Sequence, residues 1–355
     1  MTRGGAALLR NLAAVVCWSV APLMIRATRE HFTVMFQTFA RYLASLVILW
    51  PVVLVGRGRE GARRDWRALL PLLPRILAIA AVNYGFQTGY TLAYYTLLPG
   101  FGSLVSQTGV LFSVALALLL FPDERRMLLR AAFIAGLLAA IAGVLLTVIS
   151  GMSGQSGASS PSAGAAARLD AGSTLLGVSA MLVSAFSWAL LGALVKKWLR
   201  DLHPLFALCA VFTIVTPLFL VTDVISSGGL RIPAAPPGAW LTMVLSGLVG
   251  VGLGHSLYYS AVPFIGVTVS SSLGLLVPLI AGILSLALFG ERLGALRVAG
   301  ALLLLGGCYV VIRERFRGEA RTPRTGAPTT RTPWGLRRRD PARSRRASSA
   351  SRRRA

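Results

Sequence analysis

Long runs of apolar residues, separated by short polar breaks, dominate the chain. Each run is close to the roughly 20 residues that an α-helix needs to cross the hydrocarbon core of a bilayer. A backbone in lipid must satisfy its own hydrogen bonds, and the runs lack the ten-residue alternation of a membrane β-barrel. The pattern predicts an all-α integral membrane protein with ten transmembrane helices, at residues 6–26, 34–56, 70–96, 101–121, 128–149, 174–196, 205–226, 239–261, 267–289 and 294–312.

Composition supports the membrane class, and the spacing of the cysteines gives no sign of a metal site. Of the 355 residues, 55% are hydrophobic and only 14% are charged, whereas a soluble protein of this size carries about a quarter charged residues. Cys17, Cys209 and Cys308 each lie inside an apolar run, and no two share metal-ligand spacing. We interpret them as small hydrophobic side chains. We expect neither a cofactor nor a bound metal.

The net charge of +24 resembles that of a nucleic-acid-binding protein, but its distribution favours membrane topology. From Arg317 to the C-terminus, 13 arginines stand against Glu319 and Asp340, and the rest of the excess lies in the breaks between apolar runs. Basic residues beside membrane segments mark the cytoplasmic side. We therefore expect no specific nucleic-acid partner. The tail, residues 316–355, is predicted to be disordered and to meet anionic lipid.

The breaks predict the orientation of the chain. Those on the side of the N-terminus hold thirteen basic residues before the tail, and those on the opposite side hold six. This bias places both termini in the cytoplasm of a cell (plasma or inner) membrane. The first apolar run ends at Arg26 without a convincing small-residue cleavage site. We therefore interpret it as a retained helix and not as a signal peptide.

Three sequence matches relate the two halves of the chain. "CWSVAPLMIR" (17–26) aligns with "SWALLGALVK" (187–196), "YYTLLPGFGSLVSQ" (94–107) with "YYSAVPFIGVTVSS" (258–271), and "FPDERR" (121–126) with "FGERLG" (289–294). A repeat of five helices ends on the side opposite to its start, so its copy is inserted upside down. We predict two inverted five-helix repeats at residues 1–149 and 174–315, joined by a flexible Gly/Ser/Ala linker at residues 150–173.

These residues resemble the EamA-like branch of the drug/metabolite transporter superfamily over about residues 5–315. The resemblance rests on the two tryptophan contexts, on Arg41 in the second helix, on the 5+5 layout and on "VPLIAGILSLALFGER" (277–292). The first half departs from the pattern, since Leu111 replaces a proline and "FPDER" replaces the tighter Gly-Glu-Arg form. The resemblance implies a central cavity, alternating access, and small organic solutes as cargo, often exported.

A stripe of polar and aromatic residues in the third helix predicts one wall of such a cavity. Asn83, Gln87, Tyr90 and Tyr94 are spaced at i, i+4, i+7 and i+11, so they share one helix face. Polar groups at membrane depth are functional candidates by default. Interhelical hydrogen bonding is the alternative for the stripe, and the aromatic belt near the interface is a further alternative for Tyr94 and its neighbour Tyr95.

Trp18 and Trp188 lie in mid-helix, where the repeat symmetry predicts equivalent positions on opposite cavity walls. Serine-rich patches at the starts of helices 4 and 9 add candidates, and His255 is the one interior group that would titrate near neutral pH. Core packing is the alternative for each of them. The predicted substrate-binding residues are Trp18, Asn83, Gln87, Tyr90, Gln107, Trp188, His255, Tyr259 and Ser271.

Arg41 is the basic residue deepest inside an apolar run, and two roles are open to it. It either contacts an anionic group of the substrate or braces the second helix against carbonyl groups. An enzyme is disfavoured, because there is no Gly-x-Ser-x-Gly elbow and no acidic residue at the centre of a helix. We predict a secondary transporter, with a passive channel as the alternative function.

Overall fold

The computed structural model describes residues 3–120, 130–154, 171–199, 202–291 and 294–321, and all regular structure in these ranges is helical. A 3₁₀ turn at Leu70–Leu72 precedes the third helix, and a π-helical stretch at Ser246–Leu253 joins the ninth helix to the tenth. The α-helices are α1 (Arg3–Thr28), α2 (Val34–Leu69), α3 (Leu73–Thr96), α4 (Pro99–Ser106), α5 (Thr108–Leu120), α6 (Ala131–Gly154), α7 (Ala171–Trp198), α8 (Pro204–Ser227), α9 (Pro237–Leu245), α10 (Gly254–Gly274), α11 (Leu276–Phe289) and α12 (Ala295–Arg321).

The described residues contain nine helical stretches long and apolar enough to cross a membrane. The protein is therefore a multi-pass membrane protein. One stretch, Val34–Thr96, has 63 residues, which at 1.5 Å per residue is about three times the thickness of a hydrocarbon core. The positive φ of 64° at Gly58 breaks it into two directions. The predicted number of ten spans stays a prediction.

Residues 57–69, predicted as a break, continue α2 as a helix beyond Gly58. Ala62, Asp65 and Leu69 form its buried face, because their i, i+3, i+7 spacing turns them to one side. The Arg57 guanidinium holds both carboxylate oxygens of Asp65, at 2.7 and 3.0 Å. Burial, and then the charge of Arg57, lowers the pKa of His203 at this end of the bundle. This charged segment forms a helix because Ala62, Asp65 and Leu69 give it one face that is buried against the bundle.

Three predicted single helices are interrupted in the structure, one of them the predicted 267–289 helix, which divides at Leu275. The fourth predicted segment divides into α4 and α5 at Gln107, and the predicted 239–261 helix passes through the π-helical stretch into α10. Within α10, Gly266 adopts a φ of 80°, which only glycine tolerates without strain. Residues 155–170 of the predicted linker lie outside the described residues, as do Glu124 and the tail beyond Arg321.

The helices pack in pairs that mirror each other across the two halves. Helix α3 packs on α7, and α10 packs correspondingly on α1. The contact of α2 with the π-helical stretch corresponds to the contact of α8 with α3. In the same way, the contact of α5 with α7 corresponds to the contact of α11 with α1. The pair α2 with α8 joins elements that the sequence repeat relates to each other, and α4 contacts α11, the helix that follows its own counterpart at the end of α10. Each half is thus built largely against the other half.

Close helix contacts depend on glycine at several crossings. A Cβ at Gly143 of α6 would lie 2.3 Å from the Leu304 nitrogen of α12, and one at Gly307 would lie 2.4 Å from the Ala140 nitrogen. Small residues of this kind let helix backbones approach in membranes, where no hydrophobic effect drives helix association. The same device brings the second half against α1 and α2 at the candidate site.

Candidate functional site

The polar stripe of α3 lies inside the bundle, against α2. Asn83 is only 1% exposed, and Gln87 and Tyr94 are also buried. The Tyr42 hydroxyl donates a hydrogen bond to Asn83 Oδ1 at 3.0 Å. The Gln87 Oε1 atom is buried and accepts no hydrogen bond from the described residues. The predicted shared face is therefore present, with one amide satisfied by protein and the other left with a spare acceptor.

Arg41 lies beside this stripe and is 1% exposed. Its Nη1 atom is 3.5 Å from the Thr91 hydroxyl, and its Nε has no hydrogen-bond partner. The Thr91 hydroxyl is in turn 2.9 Å from the Thr38 hydroxyl, which donates to the Val34 carbonyl oxygen at 2.7 Å. None of the ion pairs among the described residues involves Arg41. We call Thr38, Arg41, Tyr42, Asn83, Gln87 and Thr91 the arginine cluster.

Trp18 lies in a notch that Gly254 leaves on α10. A Cβ at Gly254 would come within 2.7 Å of Trp18 Nε1. The indole contacts the rings of His255, at 5.5 Å between centroids, and Tyr258, at 5.2 Å. Its Nε1 is buried without a hydrogen-bond partner. We call Trp18, His255, Tyr258 and Tyr259 the indole cluster.

His255 and Tyr259 form the α10 side of the indole cluster, together with Tyr258. The His255 Nδ1 atom is 2.8 Å from the Val251 carbonyl oxygen, and the His255 and Tyr259 rings are stacked with centroids 6.4 Å apart. Phe212 of α8 closes the other side, 6.0 Å from the His255 ring. A histidine in this setting is positioned by one backbone carbonyl and by aromatic rings.

The two clusters flank the same part of the second half. Gly247 lies against the Arg41 backbone, since a Cβ there would be 2.3 Å from the Arg41 carbonyl oxygen, and Gly250 lies against Ala21. Gly247 and Gly254 are seven residues apart, along the π-helical stretch and the start of α10. The Arg41 backbone and the Trp18 indole thus contact the same short segment of the second half.

Trp188 occupies different surroundings from those of Trp18. It is 41% exposed and packs on Phe86, with ring centroids 5.0 Å apart. At the offset of 164 residues that aligns Tyr94 with Tyr258, Tyr90 occupies the place of Gly254. A tyrosine therefore stands where the second half has the glycine notch. Tyr90 itself packs between Phe86 and Tyr94.

Gln107 and Ser271 lie close to the helix interruptions and are both half-buried. Gln107 marks the break between α4 and α5, and Ser271 lies four residues before the Leu275 junction of α10 and α11. Discontinuous helices are common at transporter binding sites, because their free backbone groups can hold a solute. The structure does not bring these two residues into contact with either cluster through any bond among the described residues.

Glu291 follows the end of α11 by two residues and is a functional candidate absent from the predicted substrate-binding residues. It is 3% exposed. Its carboxylate accepts hydrogen bonds from the backbone N–H groups of Gly100, at 2.8 Å, and Phe101, at 2.7 Å, and from the Ser285 hydroxyl, at 2.5 Å. The Pro-Gly pair that starts α4 is a recognisable helix N-terminus in the sequence. The sequence around Glu291, about 190 residues away, contains nothing that predicts its bond to this helix start.

A cleft of about 390 Å³ opens at the same end of the bundle, between the α1–α2 turn and the end of α8. The Thr33 hydroxyl donates a hydrogen bond to the buried Asp223 carboxylate at its edge. The lining residues are Glu30, His31, Phe32, Thr33, Asp223, Ser227, Arg231 and Pro233. The mixed charges of this lining suit a polar vestibule and not an apolar ligand pocket.

Known proteins share this organisation over most of the chain. A sequence model of the EamA-like transporter family matches residues 5–149 and again residues 175–313. The chain is 27% identical over 318 residues to an uncharacterised protein of Pseudomonas aeruginosa, covering 88% of this chain and 97% of that one. It is 26% identical over 318 residues to a probable amino-acid metabolite efflux pump of Salmonella typhimurium, covering 87% and 96% respectively.

A solved crystal structure superimposes on the protein with a TM-score of 0.57 and 18% sequence identity, covering 86% of this chain and 97% of that one. That likeness shows the fold. The family match extends over most of the chain and occurs twice, in agreement with the mirrored helix contacts. The chain therefore belongs to the EamA-like transporter family of the drug/metabolite transporter superfamily, and it is a multi-pass membrane transporter and not an enzyme.

Proposed function

We propose that this protein is a secondary transporter that exports a small organic solute, such as an amino acid, metabolite or drug, by alternating access around a central cavity between its two repeats. The arginine cluster carries the proposal. A guanidinium buried at membrane depth is costly unless an anion or several acceptors surround it. Among the described residues Arg41 has one 3.5 Å contact and an unpartnered Nε. That supports an anion-contacting role over a brace.

The solute that fits best has a carboxylate or similar anion next to a flat or apolar body. Arg41 would pair with the anion, and Gln87 Oε1 would accept a hydrogen bond from a donor beside it. Trp18, with His255 and Tyr259, would cover the apolar body. Asn83, Tyr90, Gln107, Trp188 and Ser271 complete the proposed lining. Export is supported by the name of the Salmonella relative, which is an efflux pump.

A ligand screen followed by flux measurements tests this function. Purified protein is screened by thermal shift against amino acids, nucleosides and amphipathic drugs, and hits are tested for counterflow in proteoliposomes. We expect saturable counterflow of an anionic or zwitterionic solute. Flux that does not saturate and approaches the diffusion limit would instead identify a passive channel.

Arg41 variants sharpen the test. Arg41→Gln should weaken binding of the hit by about tenfold to a hundredfold, as expected for a charged hydrogen bond. Arg41→Lys keeps the charge but loses the two-pronged geometry, so its effect should be smaller. Arg59→Gln, an exposed matched control, should bind like the native chain. Equal affinities for Arg41→Gln and the control would refute the anion contact.

We further propose that the protein resides in the cell membrane with both termini and the Arg-rich tail in the cytoplasm. The arginine bias of the breaks supports this orientation. Gly61 and Ala234 lie in breaks predicted to be on opposite sides. In intact cells, an impermeant thiol reagent should label Ala234→Cys and spare Gly61→Cys. The reverse labelling would invert the topology.

A further inference from the structure

The carboxylate of Glu291 ties the connection after α11 to the start of α4, which belongs to the other half of the chain. Pro99 has no N–H group, so the first free amides of α4 are those of Gly100 and Phe101. Each donates to a different oxygen of Glu291, at 2.8 and 2.7 Å. The partial positive charge of a helix N-terminus adds to this attraction.

The contact requires glycine at position 100. A Cβ there would lie 2.7 Å from Glu291 Oε2 and 3.0 Å from the Gly282 Cα atom. The Ser285 hydroxyl fixes the carboxylate from its own side. Two amides, a hydroxyl and a close backbone contact together allow one position for the Glu291 carboxylate. The contact is therefore either fully formed or absent.

Further bonds seal the same end of the bundle around α4. The Tyr95 carbonyl, at the end of α3, accepts hydrogen bonds from Arg26, at 2.6 Å, and Arg29, at 2.9 Å. The Arg297 guanidinium lies over the Phe101 ring, 5.1 Å from its centroid. These contacts cover the junction of α3 and α4 with groups from α1 and α12. We call this end of the bundle the latched end.

The segment that the sequence repeat aligns with α4 is in a different state. All residues from Pro99 to Val105 are buried. At the offset of 164 residues they align with residues 263–269, of which Pro263, Phe264, Gly266 and Val269 are exposed. Phe264, aligned with Gly100, is 51% exposed. Segment 99–105 is therefore covered, whereas four of the described residues in the related segment are exposed.

We propose that Glu291 is the closing contact of the latched end, and that its bond to α4 breaks each time this end opens in the transport cycle. Alternating access requires that one end be closed by contacts that the opposite state lacks. The proposal rests on the alternating-access mechanism of the proposed function. It makes Glu291 a positioning residue, which acts through α4 and touches no solute.

Matched cysteine reporters test the proposal without any solute. Val105→Cys reports on the buried segment and Val269→Cys, its aligned position, on the exposed one. The three native cysteines are buried, and the native chain serves as the blank. Purified protein is treated with a maleimide in each background. Glu291→Gln keeps the shape of the side chain, but its NH2 group would face one of the two backbone N–H donors of α4. We expect the Val105→Cys rate to rise about tenfold and the Val269→Cys rate to fall.

Opposite changes in the two labelling rates distinguish a contact that closes one end of the bundle from a static helix cap. A lost cap would speed labelling at Val105→Cys and leave Val269→Cys unchanged, and that result would overturn the proposal, as would no change at either site. Glu60→Gln, at an exposed position, is the matched control and should alter neither rate. Should Glu291→Gln fail to fold, Ser285→Ala removes one donor only and should shift both rates in the same directions by a smaller factor.

The two proposals fail in distinguishable ways. Reciprocal labelling in a protein that moves no solute would leave the latch standing and remove the transport function. Solute flux with labelling rates that ignore Glu291→Gln would support transport and remove the latch.

Discussion

Trp18 and Trp188 align in the two repeats but have unlike surroundings. Trp18 fits the Gly254 notch and contacts two aromatic rings of α10, whereas Trp188 is 41% exposed and packs on Phe86. The repeats also differ at the notch itself, because Tyr90 aligns with Gly254. The sequence repeat thus predicts the position of each tryptophan on its helix, whereas the residues of the opposite half determine the surroundings of its side chain.

The ends of the bundle differ in the same manner. Segment 99–105 is covered and bonded to Glu291, whereas Pro263, Phe264, Gly266 and Val269 of the aligned segment are exposed. Under the proposed alternating-access mechanism, the repeats would exchange roles when the other end closes, so a difference of this kind would mark one of two mirror-related states. Variants at the two ends test whether it does.

The largest effect is expected at Gly100. Gly100→Ala places a Cβ against Glu291 Oε2 and the Gly282 backbone, so the latched end must open or the backbone must shift. Overpacking of this kind costs about 1–3 kcal/mol. We expect a lower melting temperature and faster labelling of Val105→Cys. Gly282→Ala is the matched control across the same contact, because its own Cβ would meet nothing within 4 Å. Equal stability of the two variants would contradict the close contact.

Replacing each tryptophan by alanine should separate the two aligned positions. Trp18→Ala removes an indole packed on two rings, and buried aromatic anchors of this kind are worth about 2 kcal/mol or more in binding. We expect solute affinity to fall about thirtyfold. Trp188→Ala should weaken binding by a smaller factor, because the Trp188 side chain is 41% exposed. Titration of the solute found in the screen measures both. Equal losses would mean that the repeats present equivalent walls to the solute.

Much of the fold follows from the sequence alone. The apolar runs, the repeat and the depth of Arg41 are local or periodic signals, and each reappears in the helices. The continuation of α2 through residues 59–69 was not predicted, since a charged break usually indicates a loop. The Glu291 bond to α4 could not be predicted, because it joins residues about 190 positions apart. Whether the proposed lining residues contact solute stays a prediction.

A smaller effect is expected from filling the notch itself. Gly254→Ala would place a Cβ 2.7 Å from Trp18 Nε1, and the indole can move aside because it is a side chain. We expect solute affinity to fall by about threefold to tenfold, between the effects of the two tryptophan changes. Gly192→Ala, where a Cβ would meet nothing within 4 Å, is the control. No loss in Gly254→Ala would show that the position of the Trp18 indole is unimportant for binding.

The smallest effect is expected from removing the tail. Helix α12 extends to Arg321, so the chain should be cut after this residue and not at residue 316, where the predicted tail begins, because the earlier cut would shorten the helix. The deleted residues are rich in arginine and serine, with no apolar face to dock on the bundle. We expect unchanged flux and unchanged labelling at Val105→Cys and Val269→Cys, with weaker binding to vesicles containing anionic lipid. If the truncation instead altered the two labelling rates in opposite directions, the tail would help to set which end is closed, and the difference between the ends could no longer be assigned to the contacts of Glu291 alone.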